Sequence, residues 1–464
     1  MTKTRVEADS MGEFNVPAEV LYGATTARAV ENFPISGRPF PPEFIKMFGE
    51  LKLACAKANE KLGKLDKNLS KSIEQAAKRV AAGECCEHFP IDVFQTGSGT
   101  STNMNTNEVI ANLANLAAGN GLGEKSPVHP NDHVNMGQSS NDTMPTVIHL
   151  SAAKQIKEDL LPALHALQAA FAKKADEFAD VIKIGRTHLM DATPITLGQE
   201  FSGFASQLAQ GIQGLEKVQA PLNELAIGGT AVGTGINTHP KFAQEVCKVL
   251  QERTDLPVVE ASNHFAAQGA KDACVAASGA LKTIAGSLLK IADDIRWLGS
   301  GPRAGLAEIV LPELQPGSSI MPGKVNPVMP EVVSQVAVQV IANDSAITWG
   351  SSLGRLDLNV FMPLIAVNLL DSIKLLASAA KVFDEKCVSG IAANRERCEE
   401  LVERSLMLAT ALAPHIGYDK AAALAKRAHV ENKTIRELAI AEKILSEAEL
   451  NKVLDMRAML SPKA

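Results

Sequence analysis

The sequence predicts a predominantly α-helical protein built around long helices. Aromatic residues are only 4% of the 464 residues, whereas alanine, leucine, isoleucine and valine are abundant. Apolar positions recur at helical spacing over long stretches, and no alternation of strands with helices suggests a doubly wound sheet. Hydrophobic residues at 46% and charged residues at 21% are typical of a folded globular chain.

The first predicted element is a small β-hairpin near the amino terminus. Residues Val6 to Val16 alternate in polarity, and Ser10-Met11-Gly12 supplies a turn between the two halves. Strand signals of this kind are rare in the rest of the chain. We therefore expect one N-terminal hairpin attached to a helical protein.

The clearest helical pattern runs from about Lys271 to Leu298. Its apolar positions step by three and four residues, and alanines occupy most of the remaining faces. At 1.5 Å per residue this helix is roughly 40 Å long, which exceeds the depth of a small domain. A helix with so little polar surface must be covered on nearly all sides. We expect a long bundle, within one chain or shared between subunits, with a seam formed by Leu281, Ile284, Leu288, Ile291, Ile295 and Leu298.

Further long helices are predicted on both sides of that segment. One amphipathic pattern runs from Val147 to Phe171, where Pro162 is expected to kink it. Others cover about 197–225, 331–347 and 360–382. These patterns divide the chain into a mostly helical N-terminal domain (1–138), a central long-helix bundle (139–391) and a small helical C-terminal domain (392–464).

Charge, hydropathy and cysteine content exclude several classes of protein. The formal net charge of −6 argues against a dedicated nucleic-acid binder. No run approaches 18 consecutive apolar residues, so we expect no membrane span, and the first 13 residues lack the apolar core of a secretory signal. Seven scattered cysteines with no C-x-x-C pair favour reduced thiols in a cytoplasmic protein, without a disulfide framework or metal cluster.

Four polar islands interrupt the apolar helical patterns. They are dense in serine, threonine, asparagine and glycine, residues suited to binding carboxylates or phosphates. Helix capping is the alternative explanation for each island taken alone. The glycines at 97 and 99 and the run 228–233 match neither nucleotide-binding fingerprint, so a nucleotide site is rejected. The islands cover residues 96–105, 129–142, 185–188 and 317–327.

Three side chains could supply charge to a dicarboxylate site. Lys324 lies between Pro322-Gly323 and Pro327, which indicates a fixed loop and a cation for a carboxylate. His188 can exchange protons near neutral pH. Glu331 lies at the start of a predicted helix and could orient and charge an imidazole.

The islands resemble a known family. Residues 317–327, read as Gly-Ser-Ser-Ile-Met-Pro-Gly-Lys-Val-Asn-Pro, resemble the signature of the fumarase/aspartase superfamily. The stretches 96–105, 138–142 and 185–194 are similar to class II fumarases, and the likeness covers nearly the whole chain. Aspartases resemble this pattern but carry Gln in place of His188 and Ala in place of Gly323. Argininosuccinate and adenylosuccinate lyases share the serine-rich loop but differ in the other islands.

The resemblance implies a fold, an assembly and a reaction. Each subunit would give five long helices to the twenty-helix core of a homotetramer, and each active site would combine loops from three subunits. The implied reaction is the reversible hydration of fumarate to (S)-malate by anti addition of water, as in the tricarboxylic acid cycle. It implies a small dicarboxylate as substrate and neither a metal nor an organic cofactor. An aspartase, a related lyase and a catalytically silent structural protein on this fold, as in the lens, are the alternatives.

The resemblance also implies a role for individual residues. Ser318 would be the base, and His188 would protonate the leaving hydroxide with Glu331 orienting its imidazole. In an alternative interpretation, His188 with a water is the base. A second dicarboxylate site would comprise His129, Pro130, Asn131 and Asp132, with a helix-capping turn as the alternative. The implied substrate-binding residues are Ser98, Gly99, Thr100, Ser139, Ser140, Asn141, Thr187, Ser319, Lys324, Val325 and Asn326.

Overall fold

The structure is a computed structural model that describes residues 3–462. Met1, Thr2, Lys463 and Ala464, which belong to the first and third predicted domains, lie outside the described residues. Helices dominate the described chain, and its strands form separate two-stranded sheets. The predicted mainly α fold class is confirmed.

The predicted N-terminal hairpin is present. Strand β1 (Thr4–Asp9) pairs antiparallel with β2 (Gly12–Pro17), and Asp9 lies opposite Gly12 across the turn. Gly12 has a φ of +109°, a conformation that glycine adopts without strain. The Ser10-Met11-Gly12 segment therefore forms the turn that its composition indicated.

Four helices follow the hairpin, and one of them has an unusual composition. Gly49 in the second helix lets it approach the third closely, since a Cβ there would lie 2.5 Å from the backbone nitrogen of Ala81. The fourth helix buries serines, threonines and asparagines, whose polar groups need internal partners. The four helices are α1 (Ala24–Asn32), α2 (Pro42–Lys61), α3 (Lys67–Ala82) and α4 (Thr100–Ala117).

A long helical stretch begins at α5 (Ser140–Gln155) and continues into α6 (Leu161–Glu177). A π-helical turn at Ile156–Leu160 joins the two. Pro162 has no N–H to donate to the carbonyl of Glu158, so the α-helical hydrogen-bond pattern is interrupted there. The irregularity thus lies where the sequence predicted a kink.

The chain then forms a second hairpin, which the sequence analysis did not predict. Strand β3 (Ile182–Thr187) pairs antiparallel with β4 (Met190–Thr196) and leads into α7 (Leu197–Lys217). The prediction of one helix through Leu225 was wrong. Pro221 lacks the N–H that would bond the carbonyl of Lys217, so α7 ends there. The short elements α8 (Gln219–Leu222) and β5 (Glu224–Leu225) follow.

The middle of the chain combines short elements with three long helices. Strand β5 pairs in parallel with β6 (Val259–Glu260). The predicted seam of the next long helix is buried, with Leu281, Ile291 and Ile295 fully inaccessible. The elements are α9 (Phe242–Thr254), β6, α10 (His264–Gly269), α11 (Asp272–Leu298), β7 (Ile309–Val310), α12 (Val328–Ser352) and α13 (Met362–Lys386).

The carboxyl-terminal part is a set of shorter helices with its own apolar core. Strand β8 (Ala392–Ala393) pairs with β7. Buried leucines such as Leu412, Leu438 and Leu450 come together in this core. The helices are α14 (Arg395–Arg404), α15 (Ala409–Ile416), α16 (Tyr418–Glu431), α17 (Ile435–Ala441) and α18 (Glu447–Val453).

The described residues divide into two compact units. Unit 1 comprises residues 3–161, 213–283 and 339–376, and unit 2 comprises residues 162–212, 284–338 and 377–462. In the core of unit 1, Phe40 stacks on Phe44, and Phe44 meets Phe48 edge to face. In unit 2, Phe171 packs against Phe201, Phe204 and Phe383. The division into three consecutive domains stays a prediction.

Two helices in the described chain, Asp272–Leu298 and Met362–Gly390, have the length and apolar composition of a membrane span. The sequence did not predict them as spans because neither contains 18 consecutive apolar residues. Both are partly buried within the chain, and the core helix of a water-soluble protein passes the same test.

Candidate active site

Two glycines set the approach to the first polar island. Gly99 precedes α4 with a φ of +71°, and a Cβ at this position would lie 2.6 Å from Sδ of Met144. A Cβ on Gly97 would lie 1.9 Å from the carbonyl oxygen of Val360. Only glycine fits at either position without displacing its neighbours. The loop that carries Ser98 is therefore fixed against α5 and against the segment that precedes α13.

A row of hydroxyl groups joins the first island to the second. Ser98 Oγ lies 2.7 Å from Thr100 Oγ1, which lies 2.7 Å from Ser140 Oγ. Thr100 and Ser140 are the first residues of α4 and α5, so two helix N-termini meet at this row. Helix N-termini carry partial positive charge and free N–H groups, which favour anions. The row is thus a neutral but electropositive site suited to a carboxylate.

Ser139 and Asp142 form a capping box at the start of α5. Asp142 is fully buried and accepts hydrogen bonds from three backbone N–H groups, those of Ser139 at 2.9 Å, Gly228 at 3.1 Å and Thr230 at 2.8 Å. Burial raises the pKa of Asp142 to about 6, although these hydrogen bonds and the charge of Lys52 favour the carboxylate. Asp142 therefore holds the glycine-rich segment beside Ser139.

The glycine-rich segment 226–235 is a part of this region that the sequence analysis did not identify. Asn141 Nδ2 donates to the carbonyl oxygen of Ala231 at 2.8 Å, and Gln268 Nε2 donates to that of Thr230 at 2.8 Å. Gly228 and Gly233 have φ values of +97° and +109°. The segment is rich in glycine and threonine, as the four islands are, and this composition could have linked it to them. The segment matches no nucleotide-binding fingerprint, so its sequence alone did not indicate a role.

The segment His129–Asp132 lies in unit 1 and begins a π-helical turn, Pro130–Val134. His129 Nδ1 accepts from the backbone N–H groups of Asn131 and Asp132, each at 3.2 Å. Its own backbone N–H donates to His133 Nδ1 at 2.9 Å. The histidine thus caps the turn, as in the alternative that the sequence left open. A role in binding a second dicarboxylate stays a prediction.

Thr187 and His188 lie at the tip of the β3–β4 hairpin in unit 2, and both are exposed. His188 and Leu189 have φ values of +58° and +60°, the pattern of a two-residue type I′ turn. The apolar alternation of Ile182 and Ile184 was the signal that could have predicted this hairpin. The turn leaves the His188 side chain exposed.

A buried ionic cluster anchors the base of this hairpin. Arg186 Nη1 donates to Glu308 Oε2 at 2.7 Å, and Glu308 is fully buried. Lys183 Nζ lies 3.1 Å from Glu200 Oε2 and 3.5 Å from Glu308 Oε2. Burial raises the pKa of Glu200, while Lys183 opposes that shift. Removing one member would leave a buried charge without its partner, so the cluster rigidly fixes the strand that leads to His188.

The fourth island forms a closed loop before α12. The Gly317 N–H donates to the carbonyl oxygen of Lys324 at 2.9 Å, and Asn326 Nδ2 donates to that of Gly317 at 2.7 Å. Lys324 Nζ donates to Asn326 Oδ1 at 2.7 Å. The cation and the amide of the signature are thus held together at the neck of the loop.

Ser318 lies within this loop and is half-buried, whereas Ser319 and Val325 are exposed. Two backbone N–H groups, those of Ile320 at 3.2 Å and Met321 at 2.8 Å, donate to Ser318 Oγ. Donors aimed at an oxygen favour its anionic form. Glu331 lies in the first turn of α12. The pairing of Glu331 with His188 stays a prediction.

The predicted site residues therefore fall into two groups. Unit 1 contains the hydroxyl row with Gly99, Ser139 and Asn141, together with His129–Asp132. Unit 2 contains Thr187, His188, the Ser318 loop and Glu331. Among residues 3–462, no group of three or more His, Cys, Asp or Glu side chains is placed to hold a metal ion. The seven cysteines of the described chain are free thiols, and burial raises the pKa of each of them.

Comparison with known families defines the class of protein first. The family model described as Lyase matches residues 12–342, and the model described as Fumarase C C-terminus matches residues 408–461. The fold, the polar loops and these matches together define a lyase.

Full-length relatives and a solved structure define the family within that class. The class II fumarate hydratase of Chromobacterium violaceum is 54% identical over 442 residues, covering 95% of this chain and 96% of the relative. That of Thermosynechococcus vestitus is 52% identical over 462 residues, covering 100% and 99%. The crystal structure of recombinant class II fumarase from Schistosoma mansoni matches with a TM-score of 0.97 at 41% identity, covering 100% of both chains. The chain belongs to the class II fumarate hydratase family, and the resemblance predicted from its polar islands is confirmed.

Proposed function

We propose that the protein catalyses the reversible hydration of fumarate to (S)-malate by anti addition and elimination of water, a step of the tricarboxylic acid cycle. The observation that carries this proposal is the Ser318 loop, in which two backbone N–H groups donate to Ser318 Oγ. Relatives over 50% identical along nearly the whole chain are named fumarate hydratases, which supports the same conclusion.

The hydroxyl row and the Ser318 loop, which also carries Lys324, would bind the two carboxylates of the substrate. Ser98, Thr100 and Ser140 offer neutral hydroxyl donors where two helix N-termini meet, and Lys324 offers a cation. Asn326 and Asn141 have amide groups whose orientation is fixed by hydrogen bonds to the backbone. Gly99, Ser139, Thr187, Ser319 and Val325 complete the proposed binding surface.

Removal of the proton from the carbon next to a carboxylate is the difficult step of malate dehydration. Ser318, as an alkoxide, would accept this proton, and the two N–H groups aimed at its Oγ would stabilise the alkoxide beforehand. The resulting aci-carboxylate carries additional negative charge. Lys324 and Asn326 would stabilise it, and a preorganised donor of this kind contributes about 3–4 kcal/mol.

The leaving hydroxide needs a proton, which His188 would supply directly or through a water. The exposed hairpin tip lets the imidazole reach a substrate, and Glu331 would keep it charged and oriented. In the alternative assignment, His188 with a water is the base. The two assignments predict different turnover rates for variants of Ser318 and His188.

A comparison of Ser318→Ala with His188→Asn tests the serine-base assignment. We expect Ser318→Ala to lower kcat by roughly 10²–10⁴-fold, because it removes the group that takes the proton. Fumarate absorbs in the ultraviolet, so turnover is followed directly after malate is added, with aspartate added separately to test for aspartase activity. Near-native turnover of Ser318→Ala with its assembly intact would refute the serine-base assignment.

The assembly we propose is a homotetramer whose active sites combine loops from three subunits. Helix α12 exposes a seam at steps of three and four residues, comprising Gln335, Val338, Ala342, Ser345 and Trp349. Trp349 is 70% exposed, although large aromatic side chains are usually covered. A similar exposed or half-exposed seam on α11 includes Gly279 and Gly286, whose size permits close helix contact. Neighbouring subunits would cover both seams and would bring the loops of the two units together at shared sites.

Three further expectations belong to this proposal. The segment His129–Asp132 would bind a second dicarboxylate outside the catalytic cleft. The reaction would need neither a metal nor an organic cofactor, because proton transfer and charge stabilisation come from side chains and backbone N–H groups. We also propose a cytoplasmic location, supported by the free thiols.

A further inference from the structure

A fully buried lysine lies behind the hydroxyl row. Lys52, in the middle of α2, has no exposed surface. Its ammonium group donates to Asn103 Oδ1 at 2.7 Å, Gln138 Oε1 at 2.9 Å and Asn135 Oδ1 at 3.1 Å. All three acceptors are neutral side-chain oxygens. A buried cation solvated only by amide oxygens is costly, so its retention needs a compensating interaction.

The acceptors of Lys52 connect the two elements that carry the hydroxyl row. Asn103 lies three residues after Thr100 on α4, and its Oδ1 also accepts from Thr143 Oγ1 on α5 at 3.2 Å. Gln138 directly precedes Ser139, the N-cap of α5. Lys52 is therefore the hub of a network that fixes the N-termini of α4 and α5 relative to each other.

The positive charge itself also lies close to the row. Three helical residues span roughly 5 Å, so the ammonium lies about 10 Å or less from Thr100. Fixed charges at such distances act strongly through a protein interior, where water does not screen them. An anion bound at the row would experience this charge together with the two helix N-termini.

We propose that Lys52 is a positioning residue for the dicarboxylate site, which fixes the two helix N-termini and strengthens anion binding through its buried charge. This inference rests on the proposed function, because the anion is taken to be the dicarboxylate substrate. Lys52 does not touch the substrate in this proposal. It acts through Asn103 and Gln138, and through its electric field.

Titration of Lys52 makes the proposal measurable. Burial lowers the pKa of Lys52 to about 8. The titratable groups that face it are Cys55 on α2, whose pKa burial raises strongly, and Asp142 on α5, with a pKa of about 6. Cys247 on α9, which interacts electrostatically with Cys55, has a pKa of about 12. Lys52 is thus the member of this group that changes charge near pH 8. Dianion affinity should be constant between about pH 7 and pH 8 and fall above that range, by up to about tenfold in total once Lys52 is neutral.

The experiment measures the inhibition constant of succinate, an unreactive dicarboxylate, and the KM for fumarate between about pH 7 and pH 9.5. We expect both constants of the wild-type enzyme to rise above about pH 8. Lys52→Met should raise both about tenfold at pH 7, lower kcat by less than about threefold and abolish the alkaline rise. Lys52→Arg should restore much of the affinity and hold it to higher pH, because a guanidinium stays charged.

Lys271→Met is the matched control. Lys271 is also buried with a pKa of about 8, but its ammonium donates to the backbone carbonyls of Ala267, Gln268 and Ala270. We expect this variant to keep the wild-type KM and the wild-type alkaline rise. An alkaline rise that persists in Lys52→Met, or is lost in Lys271→Met, would overturn the proposal.

The experiment also distinguishes failure of Lys52→Met to fold from failure of the proposed function. If Lys52→Met does not fold, the wild-type and Lys271→Met profiles decide, and a flat succinate profile across pH 8 in the wild type refutes the role of Lys52. If the wild-type enzyme does not hydrate fumarate at all, the proposed function has failed. Succinate binding that still weakens above pH 8 would then retain Lys52 as a residue of an anion site.

Discussion

At the scale of single residues, Asp142 determines how the proposed carboxylate-binding region is assembled. It accepts the N–H of Ser139 from its own helix and those of Gly228 and Thr230 from a distant segment. A fully buried carboxyl group is costly, and its pKa of about 6 reflects that cost. The carboxylate is retained because a neutral group would satisfy three backbone donors less well.

This geometry predicts an acid limb in the affinity for substrate. As the pH falls through about 6, Asp142 takes up a proton and becomes a weaker acceptor, so KM for fumarate should rise. The same protonation should weaken substrate binding but increase the free energy of unfolding. Since the pKa in the folded state is raised above the ordinary value of 3.8, the folded chain binds more protons than the unfolded chain between these values, and this group favours folding as the pH falls.

Asp142→Asn tests the prediction. The amide lacks one of the two carboxylate oxygens, so we expect a raised KM at neutral pH and a flattened acid limb below about pH 6. Steady-state kinetics across that range measures both. A variant with the wild-type acid limb would assign that limb to another carboxyl group.

At the scale of elements, the glycine before α4 decides where the hydroxyl row lies. Gly99 combines a left-handed backbone with a close approach to Met144. Gly119 also has a positive φ, of +87°, but a Cβ there would meet nothing within 4 Å. The two positions therefore separate backbone strain from steric overlap.

We expect Gly119→Ala to lower the free energy of unfolding by about 1 kcal/mol, through strain alone. Gly99→Ala should cost about 1–3 kcal/mol more, because Met144 must shift, and it should also raise KM by displacing Ser98 and Thr100. Denaturant unfolding and kinetics on both variants measure these effects. Equal losses in the two variants, with an unchanged KM, would show that the contact with Met144 is unimportant.

At the same scale, some elements could be predicted from sequence patterns and others could not. The buried seam of α11 and the N-terminal hairpin were predictable because helical and alternating periodicities stand out along the chain. The β3–β4 hairpin was missed because its short strands include Gly185 and Pro194, and its turn residues, His188 and Leu189, give no turn signal. Its left-handed turn is maintained instead by the strands and by the buried pair of Arg186 and Glu308.

At the scale of the whole molecule, helices α11 and α12 each leave a seam of side chains exposed to solvent. A long helix with an apolar face open to water is stable only if another element covers that face. Trp297 on α11 is 47% exposed and Trp349 on α12 is 70% exposed. The proposed tetramer would bury both, and it would provide the contacts through which the loops of several subunits meet.

Trp349→Glu is expected to dissociate the assembly, since a carboxylate at the centre of a helix interface loses its hydration. Mass measurement in solution should show species smaller than a tetramer, and activity should become dependent on protein concentration. Tyr418→Glu is the control, because Tyr418 is 80% exposed on the short helix α16 and should leave the assembly unchanged. An intact, fully active assembly of Trp349→Glu would exclude the α12 seam from the interface.

The sequence by itself determined the helical class, the buried seam of α11 and the identity of the polar islands, because periodicity and unusual composition are properties of neighbouring residues. The tertiary structure decided which distant groups meet. Contacts of Asp142 with Gly228 and Thr230, and of Lys52 with Asn103 and Gln138, leave no local pattern, since each partner satisfies its hydrogen bonds only after the chain has folded. A buried charge is tolerated only where the fold supplies its partners, and that supply cannot be read from either segment alone.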